Sequence, residues 1–144
     1  MTLFNDDEQQ RIKDAIAKAE RTTSGEIRIC VEKTCKDDVL DRAAKYFYQL
    51  DMDKTKLRNG VLIYLATVDH KFAIIGDAGI NKVVPADFWD CTKDLMLEQF
   101  KLSNLIEGIV IGIDRAGEKL STFFPCAPDD VNEVSDDVAF MDGE

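Results

Sequence analysis

The segment Gly60-Val61-Leu62-Ile63-Tyr64-Leu65-Ala66 is apolar at odd and even positions alike. An extended chain with two apolar faces must be covered on both of them. It therefore predicts a central strand in a sheet with helices on either side. Glu26 to Lys33 alternates Ile27, Ile29 and Val31 with Arg28, Cys30 and Glu32, the period of a strand with one apolar face, and so of a sheet edge. Between them Val39, Leu40, Ala43, Ala44, Phe47 and Leu50 recur at helical spacing over 38–50. Strand, helix, strand makes a right-handed crossover with the two strands parallel.

Other segments complete the outline. Asn5 followed by Glu8 forms a capping-box pattern ahead of Ile12, Ala15, Ile16 and Ala19, predicting a first helix over 5–21. The short polar link 68–71 predicts that Phe72 to Gly76 returns antiparallel to the central strand. Pro85 opens a third helix through Phe100, and Leu105, Ile106, Ile109, Val110, Ile113 and Leu120 mark a fourth over 104–120. Gly108 and Gly112, four apart on it, read as a site of close packing. The fold class is α/β: an α/β/α sandwich around a small, mixed, mostly parallel sheet.

At 144 residues the chain is one domain, read as 1–125. Its net charge is −10, with seven acids and no Lys or Arg in 125–144, so 126–144 reads as a disordered acidic tail. This balance repels phosphate backbones and anionic membranes, which argues against nucleic-acid partners. No apolar stretch reaches the roughly 20 residues of a membrane span, so no direct membrane insertion is expected. The acidic start lacks the pattern of a secretory signal, which gives a cytoplasmic expectation. The four cysteines contain no C-x-x-C pair and His70 is the single histidine, so the thiols read as free and reduced rather than as zinc ligands.

The predicted topology brings three turns to one edge of the sheet: Thr23-Ser24-Gly25-Glu26, Arg58-Asn59-Gly60 and Gly76-Asp77-Ala78-Gly79-Ile80. Each joins a glycine to polar side chains. Asp77, just past a strand, is a natural oxygen ligand for a hard cation, and Asp87, Asp90 and Glu26 are further carboxylates for Ca²⁺ or Mg²⁺. Ser24, Arg58, Asn59 and Gly79 complete the expected binding edge. A single histidine leaves a Ser-His-Asp or Cys-His site with little material, and 76–79 has neither the Lys-Ser/Thr of a P-loop nor the third glycine of a dinucleotide fingerprint.

Thr-Ser-Gly-Glu-Ile-Arg at 23–28, Arg-Asn-Gly-Val-Leu-Ile-Tyr at 58–64, Phe-Ala-Ile-Ile-Gly-Asp-Ala-Gly-Ile at 72–80, Phe-Trp at 88–89 and Phe-Phe-Pro at 123–125 occur in order. Together they resemble the TPM domain family. The resemblance implies an α/β/α sandwich with an acidic cleft for divalent cations, and relatives in plant thylakoids are linked to photosystem II repair and acid phosphatase activity. Asp77 and Gly79 fall in the family's glycine-rich loop, with Asp77 where an aromatic is more usual. The expectation is a monomeric module that binds Ca²⁺ or Mg²⁺ and serves a protein partner. Two alternatives are a metal-assisted phosphatase, with Arg58 clamping an anion and Asp77 holding the metal, and an interaction domain without a metal.

Overall fold

The computed structural model describes residues 5–125 and 138–141. Helix α1 (Asp6–Glu20) begins with the anticipated capping box: the Asn5 side chain accepts from the Glu8 N–H at 2.8 Å, and the Glu8 carboxylate accepts from the Asn5 N–H at 2.9 Å. Strand β1 (Glu26–Glu32), helix α2 (Val39–Gln49) and strand β2 (Gly60–Ala66) then form the parallel crossover, with Glu26 opposite Gly60 and Glu32 opposite Ala66. Strand β3 (Lys71–Gly76) returns antiparallel to β2. A short helix α3 (Ala78–Asn81) follows, then α4 (Phe88–Lys101) and α5 (Leu105–Phe123), and finally β4 (Ala139–Phe140). The sheet order is β3-β2-β1-β4. None of the helices in the described residues is long and apolar enough to cross a membrane.

Every residue of β2 is buried, as its apolar faces require. One face of the sheet packs Ile27, Ile29, Val31, Ile63 and Ile74 against α1, α4 and α5. The other packs Cys30, Leu62, Tyr64 and Ala73 against Ala43, Tyr46 and Phe47 of α2. Glycines let α5 press close to its neighbours. A Cβ on Gly108 would lie 2.3 Å from Phe100 Cε1, and one on Gly112 would lie 2.8 Å from Met96 Sδ and 3.0 Å from Ile63 Cδ1.

Several expectations need correction. Strand β1 is not a sheet edge with one apolar face. Six of its seven residues are buried, and β4 pairs parallel along its outer side, Cys30 opposite Ala139 and Val31 opposite Phe140. Its polar positions are covered because Cys30 packs under α2 and Glu32 is surrounded by hydrogen-bond donors. Consequently Ala139 and Phe140, within the segment read as a disordered tail, belong to the sheet, and Val138 and Ala139 are buried. Residues 126–137 and 142–144 of that segment lie outside the described residues. The third long helix starts at Phe88 rather than Pro85, because 85–87 make a turn in which the Phe88 N–H donates to the Pro85 carbonyl at 3.0 Å. The fourth continues to Phe123. Cys30, Cys35 and Cys91 are free thiols, while Cys126 is outside the described residues.

Candidate functional site

Because β1 and β2 run parallel and β3 runs back, the three turns do converge. The Asp77 N–H donates to the Gly60 carbonyl at 2.9 Å, Gly79 to Arg58 at 2.7 Å, and Glu26 to Asn59 at 3.4 Å. Asn59 Nδ2 donates to Ser24 Oγ at 3.3 Å, linking the first turn to the second. Gly79 is required by this closeness, since a Cβ there would lie 2.1 Å from the Leu57 carbonyl oxygen. Arg58 holds a left-handed backbone, φ 53°, which turns the chain into β2.

The two charged residues of the edge are joined. Arg58 Nε donates to Asp77 Oδ2 at 2.7 Å and Nη2 to Oδ1 at 2.8 Å, a two-pronged pair. Asp77 Oδ1 also accepts from the Ala78 N–H at 2.7 Å, capping α3. Asp77 is 6% exposed and the Arg58 side chain 49%, so the guanidinium lies on the solvent side of the carboxylate. Hydrogen bonding to Asp77, reinforced by its charge, pushes the Arg58 pKa further up. The arginine expected to await an anion is thus held by the aspartate expected to await a metal.

Beside this pair the edge is rich in buried oxygen. Glu26 is 2% exposed and Asn59 1%. Asn59 Oδ1 is buried without a hydrogen-bond partner among the described residues, as is Asp53 Oδ1 in the turn before Arg58. Asp53 was absent from the sequence-based set. It stands in the polar stretch between α2 and β2, which carries no periodicity that would single it out.

Asp87 and Asp90 sit at the start of α4. Asp87 occupies the N-cap position without a capping hydrogen bond from its side chain, and it lines a recess with Arg115, Glu118 and Lys119. Asp90 is exposed in the first turn. The helix is tied to the β3 turn instead through Trp89, whose Nε1–H donates to Asn81 Oδ1 at 2.8 Å while Asn81 Nδ2 donates to the Gly76 carbonyl at 2.7 Å. Among the described residues, no three His, Cys, Asp or Glu side chains come together closely enough to hold a metal ion. The four carboxylates Glu26, Asp77, Asp87 and Asp90 therefore do not form one cluster.

A second polar centre, at the opposite end of β1, was not anticipated. Glu32 accepts from Arg42 Nε at 2.8 Å and Nη2 at 3.2 Å, from the Tyr46 hydroxyl at 2.7 Å, and from the Tyr64 hydroxyl. A carboxylate so fully satisfied has a structural role.

Comparison with known proteins agrees with this architecture. No curated protein matches the chain. The NMR structure of the BA42 protein from the psychrophilic bacterium Bizionia argentinensis is similar, with 47% sequence identity, a TM-score of 0.89 and 96% of each chain covered. The solution structure of an N-terminal domain from P. gingivalis shares the fold at 18% identity and a TM-score of 0.68, covering 83% of this chain and 78% of that one. The family model described as the TPM domain matches residues 1–119. With that match, the 47% identity to BA42 and the shared fold, the chain belongs to the TPM domain family.

Proposed function

We propose that this TPM domain is a binding module that takes a hard divalent cation, Ca²⁺ or Mg²⁺, at the edge where the three turns meet, and does so in the service of a protein partner. The observation that carries the reading is Asn59 Oδ1, an amide oxygen in a residue 1% exposed that has no hydrogen-bond partner among the described residues. A buried acceptor left without a partner costs about 1–3 kcal/mol, and a cation that prefers carbonyl and carboxylate oxygens relieves it. Glu26 and Asp77 are the acids on the adjoining turns. For Asp77 to serve, a cation must compete with the guanidinium of Arg58. That competition, and the small number of carboxylates, make the affinity modest, on the order of 10⁻⁴–10⁻³ M. The phosphatase alternative has less support, since the Arg58 guanidinium that would clamp an anion is engaged by Asp77.

An amide NMR titration of the full chain with CaCl₂ and MgCl₂ tests the proposal. Saturable shifts at Gly25, Asn59 and Asp77 are expected, lost in Asn59→Ala and weakened in Asp77→Asn. Shifts limited to residues 129–144 would mean that the cation only condenses on clustered acids, and the proposal would then be wrong.

A further inference from the structure

At the other end of the strands, where β2 passes into β3, there is a cavity of ≈ 380 Å³ roofed by the end of α4 and the start of α5. Its floor is apolar: Leu65, Phe72, Phe100 and Leu105 line it, with the Phe72 and Phe100 rings edge to face at 4.9 Å. The volume falls within the range of small-molecule sites, roughly 300–1,000 Å³. The charge of its lining is opposite to that of the whole chain. Acids are 28 of the 144 residues, yet among the described residues none lines the cavity, whereas Lys71 and Lys101 both do.

The cations differ in their engagement. Lys71 Nζ donates to the Cys35 carbonyl at 3.0 Å. Lys93, one helical turn before Leu97, lies over the Phe72 ring at 6.0 Å. Lys101 makes no hydrogen bond or ion pair with any described residue, although it belongs to a protein with ten more acids than bases. Ser103, which also lines the cavity, has a φ of 64° that turns the chain sharply between α4 and α5.

We infer that this cavity binds a small apolar carboxylate, such as a medium-chain fatty acid anion, with its tail against Phe72, Phe100 and Leu105 and its carboxylate toward Lys101. The apolar floor supplies affinity through removal of hydrocarbon from water, and the cationic rim selects for an anionic head in a chain that otherwise repels anions. The site is independent of the cation edge, because the two lie at opposite ends of β2.

Octanoate and 1-octanol titrated into the ¹⁵N-labelled full chain, followed by amide shifts, test this. Octanoate is expected to saturate with shifts at 65–72 and 97–105, and to bind more tightly than octanol. Lys101→Glu, an exposed change that leaves the core intact, is expected to weaken octanoate about fivefold, the scale of replacing one exposed attraction by a repulsion, and to leave octanol unaffected. Equal binding of the two ligands, or equal losses on Lys101→Glu, would reduce the cavity to unselective apolar surface and overturn the inference. So would absence of saturable shifts, or shifts at the same amides caused by protein concentration or by Phe4→Ser without ligand, which would assign the cavity to a second copy or to the chain's own N-terminus.

Discussion

Glu32 is the last residue of β1, and its side chain is only 4% exposed. Burial alone raises a carboxyl pKa, but the donors Arg42, Tyr64 and Tyr46 together outweigh it and hold Glu32 below the ordinary value. The same contact, with burial as the larger cause, pushes Tyr46 up to about 12 and raises Tyr64 as well. Arg42 also stacks on the Tyr46 ring at 5.2 Å and bonds Asp37 at 3.2 Å, so β1, α2 and β2 are pinned through one carboxylate. Replacing Glu32 by Gln removes the buried charge on which Arg42, Tyr46 and Tyr64 converge, while Arg42 stays partly exposed and paired to Asp37, and a loss of roughly 2 kcal/mol is expected in chemical denaturation. The pH dependence has a definite sign. A carboxyl with a depressed folded pKa stabilises above its unfolded value, about 4.3, and that stability is lost as pH falls through the folded value. The difference between the native chain and Glu32→Gln should thus stay level from about pH 5 to 8 and close in more acidic solution. A difference that persisted unchanged at low pH would show that the carboxylate charge is not what the network uses.

At the scale of elements, the two-residue strand β4 has more consequence than its length suggests. It covers the outer side of β1, with the Met141 N–H donating to the Val31 carbonyl at 2.8 Å, and without it β1 would present a free edge of the kind that invites pairing with other chains. Val138 and Ala139 are each 9% exposed. Deleting residues 138–144 should lower the unfolding free energy by about 2 kcal/mol, the value of burying one valine-sized side chain, and should speed amide exchange at the β1 edge. An unchanged urea midpoint would show that β4 contributes nothing to the fold. Helix α5 is governed by a different economy of space. It lies parallel to α1, with Arg11 paired to Glu107 near one end and Thr22 bonded to Ser121 at the other, and Gly117 lets Ala19 approach between them.

For the molecule as a whole, ten excess negative charges oppose compaction. Raising NaCl from about 10 to 150 mM shortens the screening length to about 8 Å and is expected to raise the thermal midpoint. CaCl₂ at matched ionic strength provides a sharper comparison. A site with a dissociation constant near 1 mM adds about 1.4 kcal/mol at 10 mM cation, worth a few degrees in a chain of this size. That increment should vanish in Asn59→Ala. If calcium and sodium stabilised the native chain equally at one ionic strength, screening alone would account for the effect, and the three-turn edge would not be a cation site.

The α/β/α layering, the direction of β1, β2 and β3, and the meeting of three turns were determined by the sequence alone, because periodicity and turn composition are properties of neighbouring residues. Gly60 to Ala66 could not be other than central, and Asn5 with Glu8 caps α1 wherever that helix packs. What tertiary structure decided was which polar groups face one another. Glu32 looked like the solvated side of an edge strand, and it is buried only because Arg42, Tyr46 and Tyr64 arrive from α2 and β2. Ala139-Phe140 sits in an acidic stretch with no periodic signal, and it becomes a strand because β1 offers an open row of hydrogen-bonding groups. In the candidate site, Ser24, Asn59, Asp77 and Gly79 were legible from topology, whereas the capture of Asp77 by Arg58 and the separation of Asp87 and Asp90 from it were not. Charge pairing across 19 positions depends on distances that local pattern does not encode, and only the folded chain sets them.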